Sequence, residues 1–397
     1  MYLTKEEERI LAGEYGVGMQ KALEILVALG KIYNADRLIP ITSSHISGIS
    51  YYNIGDAGLT FLKDFLFNVK VRVKTTMNPG AMDLYRWREM WIDEEFAEKQ
   101  QELINYLVNA GVEPTLTCTP YLTGNIPRKG DHISWSESSA LTYANSVIGA
   151  MTNRESGISA LAAAIIGKTP NYGMHIKEER APKVKVKIKG EFKSLSDYGV
   201  LGYVLSRKID DEIPWIEGVK NVGIEELKLL SASIATYTKI PIFHIPEVTA
   251  EWKEFDVPSE TVEVDDLDMK HAYEYLQDSF DNVDMVWIGC PHTTLKELKM
   301  VAELLRDKSV NTNLWITTSR RVKEEAEKLG YIKIIEGSGA KVLCDTCVAV
   351  TPLKGKVKTL VTNSAKACYY SRGINKLKVR VASLEKCIDV ALRGSWK

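Results

Sequence analysis

Cysteine stands at three places in this sequence where an extended run stops: Thr117-Cys118-Thr-Pro, Gly289-Cys290-Pro-His292 and Cys344-Asp-Thr-Cys347. A side chain at the carboxyl end of a parallel strand lies where open α/β sheets place their ligands, and a proline close behind it stops further ladder pairing. Thiols in such positions have three uses. Cys344 and Cys347 form a C-x-x-C spacing, which suits a thioredoxin-type redox couple or half of a zinc site. The redox couple normally opens a helix, whereas Val348-Ala-Val350 continues as an extended run, and structural zinc normally needs a second close pair that the sequence lacks. Separate strand-end thiols suit an iron–sulfur cluster better. Cys368 and Cys387 fall on apolar helix faces and read as core residues.

Polar clusters recur beside such runs. Ser43-Ser-His-Ile-Ser-Gly48 reads as a compact hydroxyl-rich loop, and Thr75-Thr-Met-Asn-Pro-Gly80 as a turn. Thr152-Asn-Arg-Glu-Ser-Gly157 separates two helices of small side chains, so Arg154 is either a surface charge or a fork for a carboxylate or phosphate. Asn363-Ser-Ala-Lys366 again follows an extended run.

The elements that must position these groups follow from periodicity. Thr4 and Glu7 form a capping box. A helix is expected from about Asp93 to Ala110, with others over 194–206 and 224–237, and strands over 37–42, 69–74, 184–188 and 240–245. The acidic stretch near 260–268 reads as a linker. Beyond it a βαβαβ rhythm appears, with strand 284–289, helix 294–306, strand 313–317, helix 319–329 and strand 341–344. Thr293 or Thr294 caps the first of these helices, with Glu297 three residues after Thr294, while His292 serves at most to cap or orient. The expected fold is therefore α/β and multidomain, with parallel βαβ sheets carrying helices on both faces. The divisions fall at 1–190, 191–265 and 266–397.

A chain of 397 residues exceeds the ~150 residues of a typical domain. With 51 basic against 52 acidic residues there is no global field to draw nucleic acid or an anionic membrane. No apolar run approaches the roughly 18 residues of a membrane span, and the charged start is no signal peptide. A soluble cytoplasmic protein with reduced thiols is expected.

In order along the chain, Ser43-Ser-His45, Thr75-Thr-Met-Asn-Pro79, Thr117-Cys-Thr-Pro-Tyr121, Ser136-Glu-Ser-Ser139, Ala144-Asn-Ser146, Thr152-Asn-Arg-Glu155, Gly289-Cys-Pro-His292, Asp345-Thr-Cys347 and Asn363-Ser-Ala-Lys366 resemble the aconitase X family. The likeness runs from near residue 5 to near 372 and is greatest to the archaeal two-subunit type. It implies an aconitase-like fold and dehydration of mevalonate 5-phosphate to trans-anhydromevalonate 5-phosphate in an archaeal isoprenoid route. Single-chain members carry a further small swivelling domain, whereas this sequence stops at Lys397 soon after a helix. The resemblance therefore implies a separate small subunit that bears a swivelling domain and a catalytic serine.

Such a reaction takes a weakly acidic proton while hydroxide leaves, so both ends need assistance. The resemblance implies an iron–sulfur cluster on Cys118, Cys290 and Cys347, with one coordination position open and Cys344 in reserve. Arg154 and Lys366 are candidates for the substrate's carboxylate and phosphate. Ser43, Ser44, Thr75, Asn78, Asn145, Ser146 and Ser364 are candidates for hydrogen bonds around them. His45, Glu155 and Lys366 are the candidate acid–base groups. Two alternatives stand beside this reading: cis-3-hydroxy-L-proline dehydration within the family, and a zinc or redox protein built on Cys344 and Cys347.

Overall fold

The computed structural model describes residues 1–219 and 222–397. In chain order its strands are β1 (Leu38–Pro40), β2 (Ser43–Ile46), β3 (Lys74–Met77), β4 (Ile133–Trp135), β5 (Lys168–Pro170), β6 (Val184–Ile188), β7 (Pro214–Glu217), β8 (Thr261–Val264), β9 (Met285–Thr293), β10 (Asn313–Thr318), β11 (Lys341–Leu343), β12 (Thr359–Thr362) and β13 (Lys378–Val381). β1 and β5 pair antiparallel. The others form three parallel sheets, with orders β3-β2-β4, β7-β6-β8 and β11-β10-β9-β12-β13.

Parallel strands are stable when both faces are covered, and the largest sheet shows how alternation achieves this. Val286, Ile288, Leu314, Ile316, Val342 and Val361 point to one side, into a core shared with the helices Leu295–Leu305, Tyr331–Gly337 and Leu384–Arg393. Met285, Trp287, Trp315, Leu343 and Leu360 point to the other, into a core continuous with residues from the first and second sheets. The two-residue period of the strand therefore joins this sheet to the rest of the molecule. In the middle of the chain the helices Leu195–Lys208 and Ile224–Tyr237 pack closely, because a Cβ at Gly202 would overlap Ser233.

The βαβαβ rhythm of the C-terminal third is present as expected, including the Thr294–Glu297 capping box. Several expectations require correction. Ser43–Ile46 is a fully buried strand and not a loop, since its polar side chains bond inside the protein. Residues 69–73 do not form a strand: Val71 N–H donates to Ala110 O and Arg72 N–H to Ala164 O, both near helix ends, and pairing starts only at Lys74. The acidic stretch is not a linker but β8 followed by the helix Asp266–Tyr275, whose capping box uses Asp265 and Asp268. Val348–Val350 makes a 3₁₀ turn instead of an extended run, and 240–245 holds only an isolated bridge, Trp215 to His244. The strand at 184–188 pairs with β7 and β8, so the second sheet begins ahead of residue 190.

β9 also runs further than its apolar core, through Cys290 to Thr293, with a register shift against β10 beyond Ile288. Gly289 makes this path available. Its φ is +118°, and a Cβ there would overlap the backbone oxygen of Thr317. Gly289→Ala is expected to cost about 1–3 kcal/mol in strain, measured as a lowered denaturant midpoint. An unchanged midpoint would show that the strand path does not depend on this glycine.

Candidate active site

Strand ends supply almost every wall of one cavity of about 230 Å³. Ser47 and Gly48 follow β2, Asn78 and Pro79 follow β3, Ser136 to Ser138 follow β4, Cys290 lies in β9, Cys347 follows β11, and Lys366 follows β12. Cys118, from the segment after the helix Glu94–Asn109, completes a set of three thiols facing the same space.

The thiols differ in their surroundings. Cys290 is held below the ordinary thiol range because the Cys347 thiol hydrogen-bonds to it; burial opposes this, and Lys366 and the Ser364 hydroxyl assist it. Cys347 is correspondingly raised by the same bond and by burial. Burial, with Glu137 nearby, pushes Cys118 up to about 12, partly offset by Lys366. All three cysteines line the same cavity. Among the described residues no group of three or more His, Cys, Asp or Glu is gathered closely enough to hold a single metal ion. Thiol donors from three separate segments are of the soft type that zinc, copper and iron–sulfur groups take.

Cys344 is not part of this wall. It is fully buried, its backbone N–H donates to Asp83 Oδ2 at 2.8 Å, and its thiol is pushed up by burial. Asp345 between the two cysteines has φ +60° and pairs with Arg320. Cys347 thus faces the cavity with Cys290, whereas Cys344 does not.

The charged feature of the cavity is an ion pair between Lys366 and Glu137, each 8% exposed. Glu137 Oε1 accepts from Lys366 Nζ and Oε2 from Asn78 Nδ2 at 2.6 Å, while Lys366 also donates to Ser138 Oγ at 3.1 Å and Ser139 Oγ at 3.3 Å. Burial works against the carboxylate, but Lys366, Asn78 and Ser139 hold Glu137 down at about 2. The ammonium is disfavoured by burial yet raised by Glu137 and the thiols. Glu137, Ser138, Ser47, Asn53 and Tyr370 all line the cavity but were absent from the candidates. The run Ser136-Glu-Ser-Ser139 was the available signal for the first two.

Only some expected residues reach the site. Lys366 and Asn78 line it, and Ser364 caps the following helix beside Cys290. His45 is fully buried behind it. Because Asn78 donates to Glu137, its Oδ1 must accept from His45 Nε2 at 3.0 Å, which leaves Nδ1 to accept from Thr76 Oγ1 at 2.7 Å. The ring is thus neutral and occupied at both nitrogens, with its pKa lowered to about 4 by burial. This corrects its assignment as a base. Glu155 bonds Ser159 Oγ and Thr169 Oγ1 outside the cavity wall. Arg154 is exposed and donates to Ala235 O and Thr238 O at the end of a helix. Ser43 accepts from Trp135 Nε1, Ser44 donates to Ser134 O and Ala160 O, Thr75 to Val73 O, and Ser146 accepts from Phe243 N. Asn145 bonds Thr152, Pro241 and Arg180. These hydroxyls and amides build the walls rather than face the cavity.

A parallel α/β protein with a thiol-lined, ion-paired cavity at its strand ends is the class defined so far. Residues 1–178, 182–274 and 283–393 match the aconitase X first, second and third domains, and the chain belongs to the aconitase X family. It is 47% identical to the phosphomevalonate dehydratase large subunit of Thermococcus kodakarensis, over 98% of this chain and all of that one. The corresponding subunit of Methanocaldococcus jannaschii is 46% identical over 98% of this chain and 99% of its own length. A cis-3-hydroxy-L-proline dehydratase from Pseudomonas aeruginosa is 32% identical over 98% of this chain, which spans 69% of that protein. The crystal structure of the Thermococcus kodakaraensis aconitase X holo-form superposes with a TM-score of 0.93 at 47% identity, covering 98% of this chain and all of that one.

Removing one partner of the buried pair leaves the other charge without compensation. Glu137→Gln is expected to destabilise the protein by about 3–5 kcal/mol, and Glu137→Gln with Lys366→Met is expected to recover part of that in chemical denaturation. A double variant no more stable than Glu137→Gln would contradict the assignment. The depressed carboxylate contributes stability that is present above the unfolded carboxylate range, near pH 4, and lost as pH falls toward about 2. The acid limb of the stability profile should therefore flatten in Glu137→Gln.

Proposed function

We propose that this chain is the large subunit of a hydro-lyase that removes water from mevalonate 5-phosphate to give trans-anhydromevalonate 5-phosphate, in an isoprenoid route. The convergence of Cys118, Cys290 and Cys347 on one cavity beside the Lys366–Glu137 pair carries the reading of the reaction. The substrate follows from relatives 42–47% identical over nearly the whole chain, all described as phosphomevalonate dehydratase large subunits.

An iron–sulfur cluster on the three thiolates, when bound, supplies a Lewis-acidic iron with a free coordination position for the departing hydroxyl. The chain's own groups do the rest. Lys366 Nζ stays protonated and offers its charge to the substrate carboxylate, while Glu137 fixes where that charge points. Ser138 and Asn78 extend the hydrogen-bonding wall on either side of Glu137. The described ionisable side chains of the wall are the three cysteines, Glu137, Lys366 and Tyr370. Glu137 at about 2 is too weak a base to take a carbon-bound proton.

The base therefore comes from elsewhere, and a companion small subunit with a swivelling domain and a catalytic serine supplies it in this reading. Relatives described as large subunits support a companion small subunit, without specifying its fold or residues. No helix among the described residues is long and apolar enough to cross a membrane, and the free cysteines suit the reducing cytoplasm.

Co-expression with the small subunit under anaerobic conditions should yield a brown complex that dehydrates mevalonate 5-phosphate. Cys118→Ser, Cys290→Ser and Cys347→Ser should each abolish colour and turnover, while Cys368→Ser keeps both. A colourless protein with stoichiometric zinc would overturn the cluster. Turnover of cis-3-hydroxy-L-proline in place of mevalonate 5-phosphate would overturn the substrate.

A further inference from the structure

His292 lies two residues beyond Cys290, and its side chain is completely buried. Its Nε2 lies 2.9 Å from Thr346 O, and a carbonyl can only accept, so Nε2 carries the proton. Nδ1 then has a lone pair, and it accepts from Thr117 Oγ1 at 3.0 Å. Thr117 precedes Cys118, and Thr346 precedes Cys347. One imidazole therefore bridges the backbone neighbours of two of the thiols from the strand that bears the third.

Two further contacts fix the ring's own segment. The His292 backbone N–H donates to Cys118 Sγ at 3.2 Å. From the other side, the buried Lys228 Nζ donates to His292 O at 2.9 Å and pairs with Glu297. Thr117 is itself held, since its Oγ1 accepts from Thr119 N–H at 3.2 Å. The three cysteine-bearing segments are far apart in sequence, and this ring ties them together directly.

We propose that His292 is a positioning residue that sets the mutual spacing of Cys118, Cys290 and Cys347, and thereby the retention and electronic state of the group they hold. The proposal rests on the reading that these cysteines bind an iron–sulfur cluster. Hydrogen bonds that orient ligands from behind typically change metal affinity by about 10–100-fold, and those to cluster sulfurs tune their electronic properties.

The test uses the anaerobically purified two-subunit complex. Iron and labile sulfide content, the electron paramagnetic resonance spectrum of the reduced protein, and the rate at which a chelator bleaches the visible absorption are compared for wild type, His292→Gln and Thr117→Val. Thr117→Val is nearly isosteric and removes the hydroxyl that donates to Nδ1, together with the bond that hydroxyl accepts from Thr119 N–H. His292→Gln is expected to bleach about 10–100-fold faster and to show a shifted resonance spectrum, with Thr117→Val changing in the same direction. Thr249→Val, which removes a buried hydrogen bond to Ile245 N away from the thiols, should match wild type. Folded variants that bleach at the wild-type rate with an unaltered spectrum would overturn the role, even if their melting temperatures fall. Should His292→Gln not fold, Thr117→Val decides alone. A wild-type complex that takes up no iron would overturn the cluster reading and this role together, whereas a loaded wild type with indifferent variants overturns only the role.

Discussion

The buried pair of Lys366 and Glu137 is the constraint around which the cavity is arranged. Lys366 occupies the first turn of the helix Ala365–Gly373, where the helix dipole disfavours a cation. Burial disfavours it further. Glu137, at the cap of the helix Ser138–Tyr143, removes both objections by placing a carboxylate against it. The pair joins residues 229 positions apart, so the first and last portions of the chain must be docked for it to exist. An apolar pair of similar volume would hold these portions together as well or better. Retention of charges here makes sense if their role is to present an ammonium to thiolates and to an anionic substrate.

The rest of the site follows from where parallel strands end. Backbone at the carboxyl ends of β2, β3, β4, β9, β11 and β12 leaves the ladders and turns toward one space. Two sheets therefore contribute to one cavity without any single element carrying the chemistry. The polar residues in and behind its wall have both hydrogen-bonding ends engaged, as in the run Thr76, His45, Asn78, Glu137, Lys366. Such a run fixes orientation at the cost of titration within it. His45 consequently determines how Asn78 faces Glu137 and has no free nitrogen for catalysis.

That Cys118, Cys290 and Cys347 share one cavity was legible in the sequence because each interrupts or follows an extended run beside proline or threonine. The C-terminal βαβαβ unit was legible because its apolar runs and caps are regular. Ser43 to Ile46 was not, since buried strands usually betray themselves by apolar residues, and this one satisfies serine and histidine through partners near 76, 134 and 160. Arg154 looked like an anion fork between small helices, but its nitrogens cover carbonyls at the end of Ile224–Tyr237, a partner some 80 residues away that no local pattern announces. Glu137 was overlooked for the opposite reason. In sequence it is one acidic residue among many, and only its distant lysine gives it a role.

Iron K-edge X-ray absorption of the anaerobically purified two-subunit complex tests the central claim most directly. The expected result is iron in a sulfur-dominated environment whose scattering changes when mevalonate 5-phosphate is added. Zinc in place of iron, or an iron environment indifferent to that substrate, would contradict it.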